Sequence, residues 1–143
     1  MKHQTDILFV CSPTFARDPY PPFFFLYLAA YLEKGCIASE ISNPHERTFE
    51  GNLQSITRDI RQLNPGFIGL SCFVTDFDAV VEVAKRIRSV SDAMIVVGNA
   101  HASIAPRDFL YDGSPFDVVV IGEGELTLTQ LISMGRGALS QIA

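Results

Sequence analysis

Basic residues are in short supply in this sequence. Eleven Lys and Arg stand against sixteen Asp and Glu, a formal charge of −5. That balance argues against a nucleic-acid partner, because such proteins present a basic face to the phosphates. The one modest basic group, Lys85, Arg86 and Arg88, reads as the wet face of a helix. Cysteine is scarce too. Cys11, Cys36 and Cys72 are odd in number and form no CxxC pair, so neither a disulfide framework nor a zinc site is indicated. No stretch approaches the ~18 uninterrupted apolar residues of a membrane span. The N-terminal MKHQTDILFV has too short an apolar run for a signal peptide. A cytoplasmic protein with no membrane partner is the expectation.

What the chain does contain is apolar residues, 48% against 19% charged, which places it among globular rather than disordered proteins. Its 143 residues suit one domain. The apolar runs alternate in type. Ile7–Cys11 reads as a strand ended by Ser12-Pro13, and Phe23–Lys34 as a helix closed by Gly35, the residue that enters the left-handed conformation without a Cβ clash. Ala38–Ser42 is a weaker strand. Leu53–Leu63 carries Leu53, Ile56, Ile60 and Leu63 at helical spacing and stops at Asn64-Pro65-Gly66. Phe67–Phe73 is a strand, Phe77–Val90 a helix with Val80, Val83, Ala84 and Ile87 on one stripe, and Met94–Val97 a strand. Pro106–Leu110 opens a short helix, with proline early where its missing N–H costs little. Phe116–Ile121 and Leu126–Met134 supply the last strand and helix. The later strands are continuous apolar runs, as in a parallel sheet covered on both faces. The expected fold is α/β, a doubly wound, three-layer, Rossmann-like (flavodoxin-like) domain with a five-stranded parallel sheet in the order 2-1-3-4-5. The ending MGRGALSQIA has no terminating pattern, and a longer parent chain is expected.

Ligands of open parallel sheets bind beyond the carboxyl ends of the strands. The corners there read Cys11-Ser12-Pro13-Thr14, then Ser71 to Asp76, then Gly98-Asn99-Ala100-His101-Ala102-Ser103, then Gly122-Glu123-Gly124-Glu125. They are small, hydroxyl-bearing and glycine-rich, so a ligand can approach the backbone. No GxGxxG joins the first strand to its helix, and no Walker A, HExxH or nucleophile-elbow motif occurs. The glutamate within Gly122-Glu123-Gly124 would repel a phosphate. A self-contained hydrolase is therefore not expected. Several residues keep two readings. His101 is either a loop histidine bonding backbone near a helix start or a ligand contact, with metal ligation the weakest option. Ser71 and Thr75 are caps for the helix at Phe77, cofactor contacts, or both. Glu123 and Glu125 suit a helix N-terminus. Phe23–Phe25 reads as core or interface, and Cys72 as a small buried hydrophobe.

Four segments, PPFFFLYLAAYLEKG, GFIGLSCFVTDFDAVVEVAKRIR, IVVGNAHASIAPRDFL and FDVVVIGEGELTL, follow one another in order. Over residues ~5–134 they resemble the N-terminal cobalamin-binding domain of B12-dependent radical SAM enzymes. That group includes methyltransferases and the anaerobic oxidative cyclase of bacteriochlorophyll synthesis. The resemblance implies a base-off cobalamin over the carboxyl edge of the sheet, its nucleotide tail buried in the domain. It implies cofactor-binding roles for Ser12, Pro13, Ser71, Thr75, Gly98, Asn99, His101, Gly122, Glu123 and Gly124, and no protein metal ligand. Gly98 would give the tail room, Ser71 and Thr75 would bond its polar groups, and His101 with the Gly122–Glu125 corner would line the rim. A radical SAM domain of the same parent chain, with a CxxxCxxC loop, would hold a [4Fe–4S] cluster and S-adenosylmethionine. No such loop lies in these residues, so this portion alone is not expected to be an active enzyme. Three positions depart from the pattern, one being Phe23-Phe24 after the paired prolines, where relatives usually carry Gly and Leu. The D-x-H-x-x-G corner of classical B12 domains reads Cys11-Ser12-Pro13-Thr14-Phe15-Ala16, without the cobalt-ligating histidine, and the usual Gly-Gly reads Gly98-Asn99. The competing expectations are an interaction domain that has lost the cofactor, its edge filled by Asn99 and Phe73, and a flavodoxin-like enzyme with a phosphate-bearing ligand.

Overall fold

A computed structural model describes residues 5–13 and 21–141 of the chain. Five strands form one parallel sheet in the order β2-β1-β3-β4-β5, the expected topology. The strands are β1 (Ile7–Val10), β2 (Ser39–Ser42), β3 (Phe67–Ser71), β4 (Met94–Gly98) and β5 (Val118–Val119). The helices are α1 (Phe23–Lys34), α2 (Phe49–Leu63), α3 (Phe77–Val90), α4 (Ala100–Ile104) and α5 (Glu125–Met134).

Side chains alternate across a strand, so each apolar run divides between two layers. Leu8, Val10, Ile68, Leu70, Ile95 and Val97 point to one face and pack with Leu53, Ile56 and Ile60 of α2 and Val80, Val83 and Ile87 of α3. Ile7, Phe9, Phe67, Met94 and Val96 point to the other and pack with Phe25 and Leu32 of α1 and Leu128 and Leu131 of α5. Both faces are covered, which is why β1, β3 and β4 carry no polar alternation.

Four local expectations are corrected. Gly35 does not take the left-handed position; its φ is −90°. Cys36 does, at φ 57°, because the amide of Ile37 closes back on the carbonyl of Leu32 (3.1 Å) and that of Cys36 on Glu33 (3.0 Å), a helix end that requires one left-handed residue between them. Helix α2 begins one turn earlier than its apolar stripe, at Phe49, where the Thr48 hydroxyl accepts from the Gly51 amide at 3.0 Å. The fourth helix precedes Pro106: α4 spans Ala100–Ile104, and Pro106–Asp108 is a single 3-10 turn. Strand β5 is two residues long, because it is an edge and pairs only with β4, Val118 opposite Val96 and Val119 opposite Val97.

Candidate functional site

The alternation that builds the core also builds a groove. Ser71 ends β3 and Gly98 ends β4, paired across the sheet. Both lie on the α1/α5 side, two residues beyond Gly69 and Val96 respectively. There, at the carboxyl edge, a cavity of ≈ 340 Å³ opens. Phe9, Gly69 and Val96 form its base, Phe24, Phe25 and Leu28 of α1 and Leu128 of α5 its walls, and Ser71, Gly98, Asn99, Ser103 and Gly122–Glu125 its mouth.

Three glycines here have different causes. A Cβ at Gly69 would stand 2.7 Å and 2.9 Å from the Phe9 ring, so glycine is required for that ring to lie across the strand and stack on Phe25 (centroids 4.8 Å apart). Gly122 has φ +75°, a left-handed conformation that side chains resist. Gly98 has neither constraint. A Cβ there would meet only Val120, at an ordinary 3.8 Å. What glycine preserves at that position is the open space of the groove.

The mouth is held by a short hydrogen-bonded chain. Ser71 is 6% exposed, and its hydroxyl oxygen accepts from the side-chain amide of Asn99 at 2.8 Å. The Asn99 Oδ1 accepts from the Ala100 amide (2.8 Å), and its backbone carbonyl accepts the Ser103 hydroxyl (2.9 Å). The Ser103 Oγ accepts in turn from the Gly122 amide (3.0 Å). Four corners are thereby tied together: the ends of β3 and β4, helix α4 and the turn into α5. Asn99 itself sits at φ 80°, ψ −165°, a region essentially reserved for glycine and costing of order 1–3 kcal/mol in any other residue.

Of the ten residues proposed from sequence, Ser71, Gly98, Asn99, Gly122, Glu123 and Gly124 line this groove; Ser12, Pro13, Thr75 and His101 do not. Ser12 and Pro13 are buried at the end of β1, and the following Thr14–Ala16 corner lies outside the described residues. Thr75 is exposed in the 3-10 turn Val74–Asp76, where its hydroxyl donates to Asp76 (3.3 Å). Neither Ser71 nor Thr75 caps α3; Asp76 holds that position without a side-chain cap bond.

His101 is neither a loop residue nor a rim residue. It lies within α4 on the opposite side of the sheet, 8% exposed, with its ring against Phe77 and Phe109 (centroids 4.9 and 5.2 Å). Its Nε2 is 2.8 Å from the Asp108 carboxylate, and its Nδ1 faces the Cys72 sulfur at 4.0 Å. Cys72 is buried, as expected. Burial, aided by the negative charge of Asp76, pushes its thiol up to about 12, so it is no nucleophile at neutral pH. No group of three or more metal-binding side chains occurs among the described residues, and none of their helices is long and apolar enough to cross a membrane.

Sequence reasoning missed Ser103, Gly69 and the aromatic base of the groove. Gly69 carried a usable signal, since a glycine inside an otherwise bulky strand marks a close approach. Phe9 and Phe25 carried none that separates a groove floor from ordinary core.

The groove combines an apolar slot and one buried hydroxyl, that of Ser71, with a mouth of small residues that also carries Ser103 and the carboxylates Glu123 and Glu125. It suits a flat apolar group bearing a hydrogen-bonding atom and a polar extension.

Comparison with known proteins agrees. The family model described as "B12 binding domain" matches residues 16–132. An uncharacterized protein of Methanocaldococcus jannaschii, MJ1620, is 32% identical over 112 residues, 69% of this chain and 21% of that protein. The cobalamin-dependent radical SAM methyltransferase TokK of Streptomyces tokunonensis is 29% identical over 72 residues, 50% of this chain and 11% of TokK. In fold, the chain superposes on the cobalamin-dependent S-adenosylmethionine radical enzyme OxsB, solved with aqua-cobalamin and S-adenosylmethionine bound. The TM-score is 0.76, with 24% identity over 91% of this chain and 18% of OxsB. The chain thus spans roughly a tenth to a fifth of the length of these proteins.

Proposed function

Because the chain belongs to the B12-binding domain family, we propose that residues 1–143 form the cobalamin-binding unit of a B12-dependent radical SAM enzyme. The observation that carries this reading is the groove: an open apolar slot at the carboxyl edge, one buried hydroxyl at its mouth, and a glycine, Gly98, that only the open space explains. At ≈ 340 Å³ it lies at the small end of ligand pockets, sized for the nucleotide end of the cofactor while the macrocycle stays outside.

In this reading Phe9, Phe25, Leu28 and Leu128 exclude water from the base of the nucleotide tail, and Ser71 bonds its polar atom. Gly98, Asn99, Gly122, Glu123 and Gly124 shape the mouth, with Ser12 and Pro13 beyond it at the end of β1. Thr75 and His101, which do not line the groove, act only through the corners they support. Bound cobalamin supplies a cobalt centre suited to methyl-group chemistry. Similarity to TokK favours methyl transfer over oxidative cyclisation. The [4Fe–4S] cluster and S-adenosylmethionine belong to the partner radical SAM domain of the parent chain, so catalysis requires that domain. The loss-of-cofactor alternative is disfavoured, since neither Asn99 nor Phe73 fills the slot.

The test is anaerobic titration with hydroxocobalamin, read by absorbance and calorimetry, on the 143-residue chain and on its parent protein. Saturable binding with a base-off spectrum is expected. No uptake by either protein refutes the reading.

A further inference from the structure

Helix α1 carries apolar side chains on every side. Phe23–Lys34 reads FFFLYLAAYLEK, with no charge before Glu33 and Lys34 in its last turn. The inner face packs on the sheet, where Phe25 and Leu32 are buried. The outer face is equally apolar and meets solvent: Phe23 is 67% exposed, Tyr27 63%, Leu26 44% and Tyr31 37%. A helix that is apolar all round belongs in a buried setting. The outer faces of α2 and α3 differ, carrying Arg58, Arg61, Glu82 and Lys85 in the solvent.

The exposed face has a pattern. Phe23, Tyr27, Ala30 and Lys34 stand four, three and four residues apart, the spacing of a two-helix seam. Laid antiparallel against itself, this stripe is self-complementary. Tyr27 of one copy would lie over Ala30 of the other, a large ring over a small hole. Phe23 would lie opposite Lys34, an ammonium over a ring face. A single lysine in such a seam fixes its register. The helix ends agree. The N-terminus of α1 has neither a side-chain cap bond nor an acid in its first turn. The antiparallel register brings Glu33 of the second copy toward it, a carboxylate at the positive end of the helix dipole. A two-fold contact sets a patch against itself, so like charges at its centre would repel; between Phe23 and Leu32 there are none.

Area sets the strength of such a contact. At ~200 Å² per aromatic side chain, the exposed parts of Phe23, Tyr27 and Tyr31 come to about 330 Å² per copy. Leu26 adds to them, as do Leu126 and Met134 of α5, which packs beside α1. Two copies thus approach the ~1,000 Å² at which specific interfaces begin, well short of an obligate dimer. We propose that the outer face of α1 is a self-association surface, pairing two copies of this chain antiparallel through Phe23, Tyr27, Ala30 and Lys34 in a weak, concentration-dependent dimer.

Sedimentation equilibrium of the 143-residue chain without corrinoid tests this independently of the cofactor reading. As the chain is concentrated, the weight-average mass should rise from 15.7 kDa toward twice that value, with a dissociation constant of roughly 10–100 μM. Ala30→Glu places a carboxylate in the hole that Tyr27 of the second copy fills, and should weaken association at least tenfold, about 1.4 kcal/mol. Lys34→Ala removes the ammonium from the Phe23 ring and should weaken it about fivefold; lying exposed in the last turn, it decides the matter if circular dichroism shows Ala30→Glu to be misfolded. Arg58→Glu, on the outer face of α2, should change nothing. A monomer at every concentration overturns the proposal and leaves the face to another part of the parent chain. Association that survives both α1 variants unchanged, or that Arg58→Glu weakens equally, places the contact elsewhere and overturns it as well.

Discussion

Gly69 and Gly98 lie on one face of adjacent strands, yet alanine is expected to have opposite effects at the two. At Gly69 the new Cβ would stand 2.7 Å and 2.9 Å from two carbons of the Phe9 ring, where carbon atoms normally rest about 3.5–4.0 Å apart. Relief requires the ring to move by nearly an ångström. It has little room to retreat, since Phe9 is 1% exposed and stacked on Phe25, itself 2% exposed. Overpacking of this kind costs about 1–3 kcal/mol, and at ~3–4 °C per kcal/mol for a domain of this size Gly69→Ala should lower Tm by roughly 3–12 °C. At Gly98 the Cβ meets Val120 at 3.8 Å and φ is not left-handed. There Gly→Ala removes unfolded-chain entropy and should leave stability unchanged or raise it by up to ~1 kcal/mol. Thermal and urea unfolding followed by circular dichroism measure both. Equal Tm values for the two variants would refute the assignment of Gly69 to packing and Gly98 to the groove.

Three further outcomes follow from the same geometry. Gly98→Leu should fill the slot and weaken hydroxocobalamin uptake at least tenfold, about 1.4 kcal/mol, with circular dichroism unchanged; anaerobic absorbance titration checks it. Iodoacetamide at pH 8 should label Cys36, which is exposed, and spare Cys11 and Cys72, whose thiols burial pushes up to about 12; mass spectrometry of tryptic peptides reads the pattern. Those two thiols should also make the fold sensitive to alkali. The unfolded chain releases their protons near pH 9 while the folded chain keeps them, so stability is complete below pH 9 and declines toward pH 12, each thiol contributing a slope of about −1.4 kcal/mol per pH unit. Urea midpoints measured from pH 8 to 11 test the sign, and a Cys72→Ala variant should show a shallower decline.

The sheet was legible because its signals are local. The continuous runs at Phe67–Ser71 and Met94–Gly98 can be satisfied only by burial on both faces, and their spacing by helical stripes dictates parallel crossovers. The helix at Phe77–Val90 was read to the residue, its apolar stripe filling its whole length. Helix α2 was read short because its first turn, Phe49–Asn52, adds no residue to the buried apolar stripe, Phe49 being exposed, and is fixed by the Thr48 cap rather than by periodicity. The site was legible in part. Glycines and hydroxyls at strand ends are visible as sequence, and six of ten fall on the groove. Phe9, Phe25 and Ser103 were invisible as site residues, because their role depends on which neighbours converge in space.

His101 shows where reading by proximity in sequence fails and what replaces it. It follows Gly98 by three residues, and that closeness suggested a shared site. Strand parity and helix rotation decide otherwise. Ser71 and Gly98 point toward α1 and α5, and Cys72, one residue on, points the other way. Asn99 turns the chain with a left-handed φ, and α4 then carries Ser103 back over the groove while His101 faces Cys72 and Phe109. Ser71–Asn99 and Cys72–His101 are thus two polar pairs on opposite sides of the same two strands. The first opens onto an apolar slot and the second is sealed among aromatic rings, with the Asp108 carboxylate taking the one ring nitrogen that reaches outward. A substitution that repacks the His101 side reaches the groove only through α4. Its effect on ligand affinity is therefore bounded by how far Asn99 and Ser103 are displaced, whereas a change at Gly98 or Ser71 acts on the groove directly.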